Sequence, residues 1–73
     1  MTTEQATTLK ATLESMFEHI AQEESIVEDL EQIERLQQEV RTTAPPQLRH
    51  YLERRSYTKA LDFLMDGFVA NSD

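Results

Sequence analysis

His19-Ile20-Ala21-Gln22-Glu23-Glu24-Ser25-Ile26-Val27-Glu28 separates two apolar stripes that cannot share one face of one helix. Before it, Leu9, Leu13, Met16, Phe17 and Ile20 recur at helical spacing and fall within a stripe about 100° wide, the pattern of an amphipathic helix with Thr3 as its cap. After it, Ile26, Leu30, Ile33, Leu36 and Val40 recur likewise, but in the frame of the first helix their stripe is turned by about 140°. A straight helix from 3 to 42 would leave one stripe in water. The spacing therefore predicts a break at Gln22–Ser25, with Ser25 and Glu28 spaced as a capping box in which the hydroxyl accepts from an orphan amide and the carboxylate reaches back. The expected result is a long antiparallel helical hairpin, about 3–22 and 26–42. No Gly or Pro marks the reversal, so the competing arrangement is a continuous helix that offers two faces to two partners.

Downstream, Thr42-Thr43-Ala44-Pro45-Pro46 is the clearest boundary, because the second proline denies its predecessor helical geometry while a proline is welcome in a helix's first turn. A third helix, 46–55, is expected to carry Leu48, Tyr51 and Leu52 on one side. Ser56 is placed to cap a fourth, 57–66, bearing Ala60, Leu61, Phe63, Leu64 and Met65. Gly67 supplies a stop, Phe68 and Val69 are expected to fold back, and residues 70–73 to fray. The fold class is all-α: one small domain over residues 1–73, the two short helices packed across one end of the hairpin.

With 73 residues the core is thin, since a domain of about 60 residues hides only about 60% of its unfolded surface, and its stability lies at about 4 to 11 kcal/mol. Association is the natural remedy. Zero Cys excludes disulfides, thiolate zinc sites, iron–sulfur clusters and a Cys nucleophile. The longest apolar run is Phe68-Val69-Ala70 and the first residues lack a positive flank, so the expectation is a soluble cytoplasmic protein without signal peptide or membrane span.

Charge is uneven. Residues 1–40 hold ten acids against two bases, net −8, whereas residues 41–73 hold five bases against four acids, net +1. The first half is thus unsuited to nucleic acid or anionic lipid, and Arg49, Arg54, Arg55 and Lys59 form the only basic cluster. Glu53 and Asp62 interleave with these bases, which argues against a DNA-reading helix and makes the cations a counterpart for the acidic hairpin, within the chain or across a dimer. The inventory for catalysis is poor. His19 and His50 are the only imidazoles, His19 one turn from Glu23, and neither has the Glu three residues earlier that bundle-type metal sites need. A single Gly excludes a nucleophile elbow or a Gly-rich phosphate loop. We expect no catalytic, cofactor or metal site.

The aromatics Phe17, Tyr51, Tyr57, Phe63 and Phe68 are the largest apolar payload, with the tyrosine hydroxyls expected at the rim. At Tyr51-Leu52, then after three residues Ser56-Tyr57, then Ala60 and Phe63, the chain resembles the LisH motif, a short helical hairpin that mediates dimerisation in eukaryotic scaffold proteins. The resemblance covers residues 48–65 and departs from the family pattern at Ser56, where Gly is usual. It implies that Tyr51, Leu52, Tyr57, Ala60 and Phe63 form a dimer core. Taken whole, with Pro45-Pro46-Gln47-Leu48-Arg49-His50-Tyr51-Leu52-Glu53-Arg54-Arg55-Ser56-Tyr57 and Lys59-Ala60-Leu61-Asp62-Phe63-Leu64, the chain also resembles small all-helical proteins of cyanobacteria. That second resemblance implies a bacterial cytoplasmic setting, names no activity, and would make the LisH-like pattern convergent.

The expected function is non-enzymatic: a helical protein–protein interaction or adaptor module that associates with itself as a homodimer, anchored by Leu48, Tyr51, Leu52, Tyr57 and Phe63. The alternative is a small regulator acting on nucleic acid, by contact through Arg49, Arg54, Arg55 and Lys59, or on a nucleic-acid-binding protein through acidic mimicry by the hairpin.

Overall fold

A reciprocal cap opens the chain. Thr2 Oγ1 accepts from the Gln5 N–H at 3.0 Å and Gln5 Oε1 accepts from the Thr2 N–H at 2.9 Å, so two orphan donors are satisfied at once. The computed structural model describes residues 1–66, and the readings made for Gly67, Phe68, Val69 and 70–73 lie outside them. Helix α1 spans Thr3–Ala21, with its cap at Thr2, one residue earlier than expected. It buries Ala6, Leu9, Leu13 and Met16 at spacings of three and four; Phe17 is half-buried, and Ile20 is 48% exposed.

The chain then reverses, and the continuous helix is excluded. Gln22 closes α1, Glu23 adopts φ 60, the Glu23 N–H donates to the Ile20 carbonyl at 3.0 Å, and the Glu24 N–H donates to the His19 carbonyl at 2.8 Å. This is a Schellman turn, built without the glycine that usually occupies the left-handed position. Helix α2 (Val27–Glu39) begins with Ile26 at the cap position and no side-chain cap. The Ser25–Glu28 capping box is therefore not formed; the Ser25 hydroxyl instead accepts from the Val27 N–H at 3.3 Å. The physical reason is the length of the turn: after the left-handed residue the chain needs two further residues before helical geometry resumes, which places Ser25 one position too early. Helix α2 buries Ile33 and Leu36, with Ile26 and Leu30 half-buried.

Helix α2 stops at Glu39, short of the expected residue 42, because the Val40 carbonyl accepts from both Thr43 (3.0 Å) and Ala44 (2.8 Å) in a tight turn. Val40 and Ala44 are buried at 1% and 7% exposure. The Thr43 carbonyl receives the Met1 amino group at 2.9 Å, and the Arg41 carbonyl receives Arg49 Nη1 at 3.1 Å. Pro45 is extended, as a residue before proline must be, and Pro46 opens helix α3 (Pro46–Glu53). Helix α3 ends two residues before the expected 55, in a second Schellman turn: Arg55 has φ 58, its N–H donates to the Leu52 carbonyl at 3.1 Å, and the Ser56 N–H donates to the Tyr51 carbonyl at 2.8 Å. Helix α4 (Tyr57–Met65) follows directly. Ser56 occupies its cap position but its hydroxyl makes no cap bond, a second correction to the expected capping.

The expected all-α architecture is the observed one: α2 lies against α1, and α4 packs against both α1 and α3. All four helices feed one core of Ala6, Leu9, Leu13, Met16, Ile33, Leu36, Leu48, Leu52, Ala60 and Leu64, and no polar or charged residue is buried among the described residues. Among them no helix is long and apolar enough to cross a membrane.

A left-handed conformation costs a residue with a Cβ about 1–2 kcal/mol, part of which glycine gives back through its freer unfolded chain. Glu23→Gly and Arg55→Gly are each expected to stabilise by about 0.5–1 kcal/mol, a rise in Tm of about 2–8 °C. Gln22→Gly, at φ −94, is expected to give no gain. Thermal unfolding followed by circular dichroism checks all three.

Candidate functional site

The second hairpin distributes its large side chains by helical phase. Leu48 and Leu52, four apart on α3, point inward at 0% and 2% exposure, as do Ala60 and Leu64 on α4. Tyr51, one step out of that phase, is half-buried and meets the half-buried Phe63 edge-on, ring centroids 6.5 Å apart at 71°. Gln47 Nε2 donates to Tyr51 Oη at 2.6 Å and fixes the tyrosine hydroxyl at the rim. Lys59, Asp62 and Asp66 of the α4 side complete a groove of about 420 Å³ over this pair. Tyr57 lies elsewhere. It lines an open cleft of about 530 Å³ with Glu31, Glu34 and Arg35 of α2 and Arg55 of the turn.

The five expected anchors are thus divided three ways. Leu48 and Leu52 hold the chain's own core, Tyr51 and Phe63 share one groove, and Tyr57 faces another concavity. The four bases are divided too. Arg49 is half-buried and bound to the Arg41 carbonyl, Arg54 is exposed, Arg55 faces the cleft that Glu31 and Glu34 line, and Lys59 stands beside Asp62 and Asp66. Among the described residues no Lys or Arg comes within 4.0 Å of a carboxylate, so the expected answer of these cations to the acidic hairpin reaches no further than the shared cleft.

Among the described residues the close charged contacts gather on His19 instead. Its Nδ1 lies 2.6 Å from Asp29 Oδ2, its Nε2 lies 3.8 Å from Glu24 Oε1, and the Ser15 hydroxyl donates to Asp29 Oδ1 at 3.3 Å. The hydrogen bond to Asp29 holds the imidazole pKa above its ordinary value of 6.5, with the negative charges of Asp29, Glu24 and Glu18 adding to the effect and desolvation opposing it. Ser, Asp and His meet here in the wrong order for nucleophilic catalysis: the hydroxyl sits on the carboxylate, not on an imidazole nitrogen that could take its proton. Sequence spacing paired His19 with Glu23. Glu23 takes the left-handed turn position, and the carboxylate that approaches the ring belongs to Glu24. His50 is exposed and its ring centroid lies 6.2 Å from that of Tyr51. Among the described residues no group of three or more His, Asp or Glu is placed to hold a metal ion.

Ser15, Asp29 and Gln47 had no signal in the sequence as partners. The Asp29 contact spans ten positions, and becomes predictable only once the length of the turn is known. No family model, curated protein or solved structure matches the chain.

Since Leu52 is fully packed, Leu52→Ala is expected to cost about 2–5 kcal/mol, whereas Arg54→Ala, at an exposed position, should stay within about 0.5 kcal/mol. Urea unfolding with a common m-value separates the two.

Proposed function

We propose that the chain is a non-enzymatic helical interaction module that associates with itself as a homodimer in the cytoplasm, using the groove between α3 and α4. The observation that carries this reading is the Tyr51–Phe63 pair: two aromatic rings held edge-on, half-exposed, with the tyrosine hydroxyl pinned by Gln47 and a polar rim of Lys59, Asp62 and Asp66 around them. Rigid aromatics inside a polar rim are the composition of an interface centre, because they offer large apolar area at little conformational cost. Met65, 57% exposed, adds an adaptable thioether at the end of the same helix. The rim carries both signs of charge, so a second copy related by a two-fold axis can set Lys59 against Asp62 or Asp66.

Leu48 and Leu52 support this groove from behind by fixing α3 on the core, and are not themselves contact residues in this reading. The absolute mass measured by light scattering on a sizing column, at low and high salt, tests it. Twice 8.5 kDa, retained at high salt, is the expected result. Tyr51→Ala, and separately Asp62→Arg at the exposed rim, are expected to weaken association at least tenfold with helix content unchanged. A wild-type chain that remains an 8.5 kDa monomer at all concentrations would overturn the proposal.

A further inference from the structure

We propose that the α1–α2 turn carries a pH-sensitive latch: the His19 side chain, held between Asp29 of α2 and Glu24 of the turn, locks the reversal when protonated and loosens it when neutral. The geometry concentrates the closure of the hairpin on one residue. The His19 carbonyl accepts the Glu24 N–H that completes the Schellman turn, while its ring bridges to Asp29 at 2.6 Å and approaches Glu24 at 3.8 Å. Backbone and side chain of the same residue therefore tie α1 to the turn and to α2. The Ser15 hydroxyl occupies the other oxygen of Asp29 and holds that carboxylate in place, so the imidazole meets a fixed acceptor.

The surroundings make the proton decisive. Among the described residues, Asp29 from α2, Glu24 from the turn and Glu18 from α1 are the carboxylates acting on the ring, and no Lys or Arg shares in the cluster. Helix α4, which also packs on α1, turns Lys59, Asp62 and Asp66 into the groove beside Tyr51. His19 stands in the last turn of α1, where the helix dipole favours a cation. A neutral imidazole can still donate one hydrogen bond to Asp29, but it loses the charge assistance, the attraction of Glu24 and the interaction with the dipole.

What the latch guards is apolar. Ile20 and Val27 flank it at 48% and 59% exposure, and Phe17, Ile26 and Leu30 lie half-buried against the core at the same end. Loosening the turn exposes more of this surface.

The sign follows from the raised pKa. The closed hairpin binds the His19 proton more tightly than the open one, so the latch contributes fully below pH 6.5 and its contribution disappears as pH rises through the higher value of the closed form. Local opening at the Glu23 and Glu24 amides is therefore expected to increase as pH rises from below 6.5 through the higher midpoint of the closed form, about tenfold for every pH unit by which that midpoint exceeds 6.5.

An NMR titration of the His19 ring, with hydrogen-exchange protection factors for Glu23 and Glu24 over the same pH range, tests the latch. A wild-type midpoint above 6.5, a return toward 6.5 in Asp29→Asn, and pH-independent protection in His19→Gln would support it. A wild-type midpoint at or below 6.5, or protection equally pH-dependent in His19→Gln, would overturn it. The wild-type titration together with the wild-type protection factors decides even if a variant fails to fold, protection that stays constant across the His19 midpoint also overturning the latch, and the result does not depend on whether the chain dimerises.

Discussion

The reversal at residues 22–26, made without glycine, is the constraint on which the rest of the structure depends. Two apolar stripes out of phase by about 140° can reach one core only if the chain folds back between them. The left-handed Glu23 makes that possible at a local conformational cost, and two backbone hydrogen bonds to Ile20 and His19 offset it by satisfying carbonyls at the end of α1. Arg55 repeats the same solution between α3 and α4, again with a charged side chain where glycine is usual. Among the described residues the arrangement is thus two helical hairpins closed by one kind of turn, and in both cases the residue at the left-handed position is exposed.

Much of the fold was legible because apolar periodicity reports burial directly. Leu9, Leu13, Met16, Ile33, Leu36 and Val40 were marked by the two stripes and are inside, while Leu48 and Leu52, read as anchors for a partner, are buried in the chain's own core instead. Pro45-Pro46 marked the start of α3 correctly, since the ring dictates backbone geometry whatever surrounds it. Capping was less legible. The Ser25–Glu28 spacing is a local preference worth about 1 kcal/mol, and the geometry of the Schellman turn overrode it by moving the helix start to Val27. The stripe also named Ile20, which lies in the last turn of α1 where the chain departs, and omitted Ala6, whose small side chain gives little hydropathic signal yet is buried at 5% exposure.

The candidate site was legible only in part, and for a geometric reason. The sequence marked Tyr51, Phe63 and the two leucines as a group, because all are large and close in sequence. A helix separates positions 48 and 52 from position 51 by about 60° or more of rotation, and that rotation assigns the leucines to the core and the tyrosine to the rim. Six positions along α4 part Tyr57 from Phe63 by about 120°, and Arg55 lies in the turn whereas Lys59 lies on α4, so neither the aromatics nor the cations form a single patch. Contacts across a turn are harder still. His19 and Asp29 meet only because the loop has its particular length, which hydropathy does not encode.

An all-apolar core leaves the question of what fixes the register of these helices. With no polar residue buried among the described residues, sliding one stripe past another exchanges leucine for leucine or isoleucine at small energetic difference, since such cores are tolerant of volume-conserving rearrangement. Directional bonds must then come from the periphery, and they lie at both ends of the first hairpin. At the turn end, Asp29 takes the His19 ring and the Ser15 hydroxyl on its two oxygens. At the other end, the Met1 amino group and Arg49 hold the carbonyls of Thr43 and Arg41, tying α1 and α3 to the segment after α2. A helix pinned at both ends has one register consistent with all its hydrogen bonds, while its core asks only for apolar volume. Placing the specific polar contacts outside the core makes them accessible to protons and to partners, which is why the element that sets the hairpin's register is also the one able to sense pH.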